Sequence, residues 1–400
     1  MLELKDFEAA ADRLKNVIHN IPLSTSATFS AMTGAEVYLK YENQQKTGSF
    51  KVRGAYNKIM KRYAEGDLHA VVASSAGNHA QGVAFAASSV GVKSTIVMPR
   101  STPIAKVSAT QGYGADVVLA GNIYDEAYAK ACEICEATGA EFIHPFDDED
   151  VMAGQGTIGL EILEQLPDVD VILVPIGGGG LISGVAFAIK QLKPSCKVIG
   201  VQAGVVASMY ASRQAGKVTT VPDAATLADG IHVLTPGSLT FEMCQKYVDE
   251  IVTVSEDEIA AAILALLEVQ KTVAEGAGAT PVAACMSGKV DTTKKTVCVV
   301  SGGNVDVTTL SRVITRGLTY GGRLATITTK LADRAGSLAN LLNVVGGTGA
   351  NVVRIHHERE DVNSEVNACV VSMVLETRNA DHVQKIKDEL TAKGYSLLDA

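Results

Sequence analysis

Short, wholly apolar runs alternate with Ala-rich stretches through the first 300 positions of the chain. Ala70-Val71-Val72-Ala73 reads as a buried strand, followed by a glycine turn and a helix over 80–89. Ser94-Thr95-Ile96-Val97-Met98 is the next strand, and 105–111 the next helix. Asp116-Val117-Val118-Leu119 with a helix over 123–138 repeats the unit. Val171-Ile172-Leu173-Val174-Pro175, Lys197-Val198-Ile199-Gly200-Val201 and Thr296-Val297-Cys298-Val299-Val300 repeat it again. Strands that are apolar throughout are buried on both faces, and strands separated by helices pair in parallel. The pattern therefore predicts an α/β fold with enough units for two parallel sheets. Ligands of such sheets sit at the carboxyl ends of the strands.

The pattern changes near residue 310. The span 311–322 holds Arg312, Arg316, Gly317, Gly321 and Gly322 and reads as a linker. Beyond it, Leu324-Ala325-Thr326-Ile327-Thr328-Thr329 alternates as a half-buried strand. A helix to 345, strands over 350–355 and 367–375, a helix over 380–393 and a last strand over 395–398 follow. That order, β-α-β-β-α-β, is the small ferredoxin-like unit. The predicted domains are 1–310 and 323–400.

Charge and cysteine usage narrow the classes. The net charge is −9, and no dense Lys/Arg run offsets it, which argues against a nucleic-acid surface. No charge-free apolar run spans a bilayer, and Met1-Leu2-Glu3-Leu4-Lys5-Asp6-Phe7 has no features of a secretory leader. The seven cysteines are scattered. Cys132 and Cys135 form a lone pair within a helix, with no second pair at zinc spacing, so no metal is expected. They read as reduced thiols of a cytoplasmic protein.

Thr47-Gly48-Ser49-Phe50-Lys51-Val52-Arg53-Gly54-Ala55 sets a lysine directly behind an aromatic ring at the start of a helical stretch. A lysine so placed is a covalent catalyst when its amine forms a Schiff base with an aldehyde cofactor. Pyridoxal 5'-phosphate is the common cofactor of that kind, and it needs a phosphate cradle and a partner for its ring nitrogen. Ile176-Gly177-Gly178-Gly179-Gly180-Leu181 follows a strand and opens a helix. Free N–H groups and the positive end of a helix dipole make an anion site there, with an ordinary tight turn as the alternative. The dinucleotide fingerprint G-x-G-x-x-G fails, because the sixth position is Ile182 counted from Gly177 and Ser183 counted from Gly178. A lone phosphate fits better than NAD or ATP.

Two more strand-to-glycine turns complete the set. In Ser74-Ser75-Ala76-Gly77-Asn78-His79, the N–H groups and the Ser75 hydroxyl suit a carboxylate, and the Asn78 amide suits a phenolate oxygen. His79 is placed like a general base but reads as a helix-anchored structural histidine. In Ser301-Gly302-Gly303-Asn304, the serine hydroxyl suits a ring nitrogen. Unlike a carboxylate, it does not hold that nitrogen protonated, which suits prompt elimination of a β-substituent.

Together these segments resemble the pyridoxal-phosphate dependent lyases of fold type II, in the threonine/serine dehydratase branch, over about residues 5–310. The resemblance implies a two-lobed catalytic domain of the tryptophan synthase β type, with its smaller lobe at about 42–145. It implies Lys51 as the Schiff-base lysine, Phe50 against the cofactor ring and Asn78 on the phenolate oxygen. Gly177, Gly178, Gly179, Gly180 and Leu181 would take the phosphate, and Ser301 the ring nitrogen. Ser75, Ala76, Gly77 and Asn78 would frame the substrate carboxylate. The implied reaction is dehydration and deamination of L-threonine to 2-oxobutanoate and ammonia, with less on L-serine. A serine dehydratase or racemase on the same scaffold is one rival; the other is a non-enzymatic amino-acid sensor with a vestigial catalytic domain, against which the intact set of Lys51, Asn78, Gly177, Gly178, Gly179, Gly180 and Ser301 argues. Related racemases carry a serine where Ala76 stands, and a Glu and an Asp for a divalent metal where Gln202 and Ser208 stand. Racemisation should be poor and a Mg²⁺ or Ca²⁺ cage missing, with a monovalent cation left open.

The remainder resembles an ACT domain, through Asp333-Arg334-Ala335-Gly336-Ser337-Leu338 and Gly349-Ala350-Asn351-Val352, with Ala335 in place of the usual proline. It implies a regulatory amino acid, isoleucine or valine, held near Asp333, Gly336, Ser337, Leu338 and Asn351 between paired domains of a homodimer or homotetramer. A purely oligomerising role is the alternative. Isoleucine biosynthesis and threonine catabolism both stay open, as do inhibition by isoleucine and activation by a nucleotide.

Overall fold

Strands of the first unit, Met1–Asp306, are β1 (Ser24–Thr25), β2 (Val37–Tyr41), β3 (Ala70–Ser74), β4 (Lys93–Met98), β5 (Asp116–Leu119), β6 (Glu141–Phe142), β7 (Val171–Pro175), β8 (Lys197–Ala203), β9 (Glu250–Val254) and β10 (Thr296–Val300). Six of these follow the runs read from the sequence, and β1, β2, β6 and β9 are additional. The computed structural model describes residues 2–291, 294–359 and 367–398. One sheet runs β5-β4-β3-β6 and is parallel throughout. The other runs β1-β2-β10-β7-β8-β9, with only β1 antiparallel. Every residue of β7 and β10 is buried, as a strand covered on both faces requires. The helices Lys51–Glu65 and Asn78–Ser89 close the core of the smaller sheet through Ile59, Ala80 and Ala84 against Val71 and Ile96. The helices Glu149–Gln165 and Gly180–Leu192 close that of the larger through Ile158 and Ile182 against Ile172 and Val299.

β2 escapes the sequence reading because a lysine interrupts it. Lys40 is fully buried, and its charge is met by Glu161 at 2.7 Å and by the Ile21 carbonyl at 2.6 Å. The same Glu161 pairs with Arg53, which also takes Glu42 through two hydrogen bonds of 2.7 and 2.8 Å. This buried network ties β2 and the helix Glu149–Gln165 to the helix that Lys51 opens.

The second unit is Val307–Ala400. The span 311–322, expected as a linker, is instead mostly the helix Val307–Tyr320. Leu310, Val313, Ile314, Gly317 and Leu318 recur at three- and four-residue spacing, with Val313 and Gly317 buried. That helical period outweighs the arginines and glycines that suggested a linker. The helix packs on β11 (Leu324–Ala332). With β12 (Asn351–Glu358), β13 (Ala368–Glu376) and β14 (Ser396–Leu398), β11 forms an antiparallel sheet in the order β12-β13-β11-β14. The helices Ser337–Gly347 and Ala380–Ala392 complete the β-α-β-β-α-β order over a core that includes Leu341, Met373 and Ile386. Among the described residues, no helix is long and apolar enough to cross a membrane. All seven cysteines are unpaired, Cys132 and Cys135 among them.

Candidate active site

Lys51 is the first residue of its helix, and the turn after β10 locks the chain just before it. Phe50 N–H donates to the Ser301 carbonyl at 3.0 Å, Gly303 N–H donates to the Gly48 carbonyl at 3.0 Å, and Ser49 bridges to Gly302. Thr47 has φ 63°, a left-handed backbone in a β-branched residue, and its hydroxyl is buried without a partner. Such strain costs about 1–3 kcal/mol and persists where the surroundings over-determine it. The Lys51 amine is buried, donates to the Pro145 carbonyl at 2.7 Å and lies 5.3 Å from the Phe50 ring centroid. Burial lowers its pKa to about 8, against the opposing pull of Glu275. About a tenth of the amine is then neutral at pH 7, far more than for an ordinary lysine.

The strap Ile143-His144-Pro145-Phe146-Asp147 joins the pieces. Ile143 offers its carbonyl to His79 Nε2 at 2.8 Å, and Pro145 offers its own to Lys51. Asp147 Oδ1 accepts from Thr240 N–H at 3.0 Å. His144 Nδ1 accepts from the N–H groups of Phe146 and Asp147 at 3.3 and 2.8 Å, and burial lowers its pKa, which keeps that nitrogen an acceptor. Burial, then the Lys51 charge, lowers His79 to about 3. His79 is therefore a neutral ring pinned to a carbonyl, which agrees with its structural reading.

The glycine loop lies under this strap. β7 ends at Pro175, and the helix Gly180–Leu192 begins after a left-handed turn at Gly179, φ 100°. A Cβ on Gly178 would overlap the Phe146 ring, and one on Gly180 would stand 2.8 Å from the Phe146 backbone. Thr240 Oγ1 donates to the Gly178 carbonyl at 2.6 Å and fixes the loop from the other side. Among the described residues, no hydrogen bond takes up the N–H groups of Gly177, Gly178, Gly179 or Gly180. Four free donors at the positive end of a helix fit an anion. Leu181 lies in the core cluster of the larger sheet, and Phe50 joins it there beside the lysine.

Asn78 begins its helix directly after the β3 turn. Its Nδ2 donates to both oxygens of Glu275, at 2.9 and 3.0 Å, while its Oδ1 is buried with no donor. Ser75, Ala76 and Gly77 are half-buried, and Gly77 N–H donates to Ser75 Oγ at 3.2 Å. Ser301 is buried at the end of β10. The structure thus brings Lys51, Phe50 and Ser301 together through one set of backbone bonds. The strap links Lys51 to the glycine loop. Gly302 adjoins Asn78, whose Nδ2 would stand 3.1 Å from a Cβ there. Gln202 and Ser208 are taken up elsewhere: Gln202 Oε1 accepts from Tyr210 N–H at 2.8 Å, and Ser208 Oγ donates to the Val233 carbonyl at 2.6 Å.

Sequence reasoning passed over Glu275, Pro145 and Phe146. Glu275 had a readable signal, since it is the one charged residue between Lys271 and Lys289, in a run of small and apolar side chains. Pro145 acts through its carbonyl, which no sequence pattern marks. The donor set suits an aromatic aldehyde that carries a phosphate. It offers an amine of lowered pKa beside an aromatic ring, and a cradle that only glycine fills, lined by N–H groups without partners among the described residues.

The residues expected to regulate do not form one cluster within the second unit. Asp333 holds Arg359 at 2.7 and 3.1 Å, next to Gly336, Ser337 and Leu338 at the start of the helix Ser337–Gly347. Asn351 pairs in register with Glu376, which also lies opposite Leu324, the first residue of β11. Asp333 follows the last residue of β11, so the antiparallel order sets Asn351 at the other end of the sheet.

Comparison with known proteins agrees with this geometry. The family model for pyridoxal-phosphate dependent enzymes matches residues 14–302. An L-threonine ammonia-lyase from Thermotoga maritima is 53% identical, over 99% of this chain and 99% of its own. The solved structure of the processed form of threonine deaminase isoform 2 from Solanum lycopersicum is 38% identical with a TM-score of 0.74, covering 78% of this chain and 93% of that one. Maize serine racemase has a TM-score of 0.74 at 35% identity, covering 80% of this chain and 98% of that one. The family model spans most of the first unit and these relatives match most of the chain, so the chain belongs to the family of pyridoxal-phosphate dependent enzymes, in its fold-type II architecture.

Proposed function

We propose that this site deaminates L-threonine to 2-oxobutanoate, with L-serine a poorer substrate. The observation that carries the reading is Lys51, a buried amine lowered to about 8 and held on the Pro145 carbonyl. Pyridoxal phosphate, when bound, supplies an aldehyde that ties up the amino group and a ring that draws electrons from Cα. Lys51 would hold it covalently. Gly177, Gly178, Gly179, Gly180 and Leu181 would receive its phosphate, Asn78 its ring oxygen and Ser301 its ring nitrogen, with Phe50 beside the ring. Ser75, Ala76, Gly77 and Asn78 would orient the substrate carboxylate. The Lys51 amine, when not engaged with the aldehyde, would act as the base that takes the Cα proton of the substrate. The β-hydroxyl would leave as water by taking up a proton in exchange for the one lost from Cα, and water would then hydrolyse the released product to 2-oxobutanoate and ammonia. Ala76 has no group to return a proton to the opposite face, which argues against racemisation.

The test is to supply the loaded enzyme with L-threonine and L-serine separately and identify the products. Fast formation of 2-oxobutanoate is expected. Pyruvate or D-serine from L-serine at a higher rate would overturn the substrate assignment.

For the second unit we propose an ACT domain that binds a small amino acid near Asp333, Gly336, Ser337 and Leu338. Its β-α-β-β-α-β order and antiparallel sheet support this. Asn351 would join such a site only from a second copy, which fits a cytoplasmic homo-oligomer. Turnover and melting temperature that shift with L-isoleucine or L-valine are expected. No shift with either would leave the unit an assembly role alone.

A further inference from the structure

Glu275 precedes the helix Gly276–Met286 and is 3% exposed. Both its oxygens accept from Asn78 Nδ2, and Oε2 also accepts from Asn304 N–H at 3.1 Å. Its own N–H donates to the Gly302 carbonyl at 3.0 Å. The carboxyl is hemmed in, since a Cβ on Gly230 would stand 2.9 Å from Oε1. Meanwhile Asn78 Oδ1 is buried without a donor, a costly state for an amide oxygen. The Asn78 amide therefore spends its donor on Glu275 and leaves its acceptor with nothing.

A proton on Glu275 reverses this arrangement. The amide, turned over, would offer Oδ1 to the hydroxyl at Oε1 and release Nδ2, while Asn304 keeps its bond to Oε2. We propose that Glu275 is a positioning residue whose proton selects the atom that Asn78 presents to the cofactor: the carboxylate holds Nδ2, and the acid donates to Oδ1 and turns Nδ2 outward. This rests on the reading that Asn78 addresses the cofactor's ring oxygen. That oxygen is anionic and accepts hydrogen bonds, so it calls for Nδ2 and opposes a second negative charge beside it.

The surroundings agree with this role. Burial, then Asp229, raises Glu275 to about 7, opposed by Asn78, Asn304 and Lys106. The charged groups that act on it are Lys51 from its helix, Asp229 from the turn Asp229–Ile231 and Lys106 from the helix Ile104–Gly112. Lys106 and Asp229 pair at 3.2 Å, so their effects on Glu275 partly offset. Where the free site holds the carboxylate, cofactor loading draws a proton back to it.

The experiment titrates apoprotein, wild type and Glu275→Gln, with pyridoxal 5'-phosphate between about pH 6.5 and about 8.5. Affinity is read from absorbance, and proton uptake from an indicator dye in weak buffer. A glutamine amide donates to Oδ1 at every pH and mimics the acid. Wild type should take up close to one proton more per cofactor than the variant near pH 8. Its affinity should fall by about ten-fold per pH unit above 7 relative to the variant. Equal uptake with parallel profiles would overturn the proposal. Should the variant not fold, uptake near zero by wild type would do the same. An Asn78→Ala protein with wild-type affinity and absorbance would remove the reading of Asn78 on which the proposal stands. None of these readouts involves threonine turnover, so a wrong substrate would leave them unchanged.

Discussion

Lys51 and Arg53 stand two residues apart, Lys51 half-buried and Arg53 fully so, yet their surroundings treat them oppositely. Arg53 lies between Glu42 and Glu161, whose charges hold its pKa above the ordinary value despite burial. Lys51 hydrogen-bonds a neutral carbonyl, and burial wins. The same physics gives a pH dependence. Burial alone would raise Glu161, but Arg53 and Lys40 hold it below its ordinary 4.5. A carboxyl lowered on folding stabilises fully above its unfolded pKa, and loses that contribution as pH falls through the folded one. Wild type should therefore lose stability below about pH 4.5 in urea unfolding, and Glu161→Gln should flatten that acid limb. An unchanged acid limb would contradict the network. At Gly178 the issue is space. Gly178→Ala should displace Phe146, cost about 1–3 kcal/mol in stability and weaken cofactor binding about ten-fold or more, measured by absorbance titration. Of these residues, the sequence marked Lys51 and the glycines, because chemistry restricts what stands there. Glu275 and Pro145 act through contacts made only when distant segments meet.

At the scale of elements, legibility followed burial on both faces. β7 and β10 are buried at every residue, as a covered parallel sheet requires, whereas β5, read from the same pattern, is an edge strand with no buried residue. β2 was hidden because its lysine is neutralised by Glu161, a partner 121 positions away in sequence. The helix Val307–Tyr320 was hidden for the opposite reason, its arginines and glycine masking a sound helical period. Its buried Val313 offers a test. Val313→Ala should cost about 1–3 kcal/mol if the helix packs on β11, measured by thermal unfolding. A solvated linker would lose no more than about 0.5 kcal/mol.

Across the whole molecule, the first unit brings three strand ends and one strap to a single lysine. The smaller sheet delivers Asn78 through β3, and the larger delivers the glycine loop through β7 and Ser301 through β10. That convergence at carboxyl strand ends follows from the α/β pattern, so the place of the site was legible before its contacts were. The central claim is that Lys51 carries out the chemistry on L-threonine. Its most direct test is the rate of 2-oxobutanoate formation by wild type, Lys51→Ala and Lys51→Arg under one condition, each supplied with pyridoxal phosphate. A loss of at least about four orders of magnitude in both variants is expected, because neither side chain can bind the aldehyde or take the Cα proton. Turnover within about ten-fold of wild type in either variant would contradict the account.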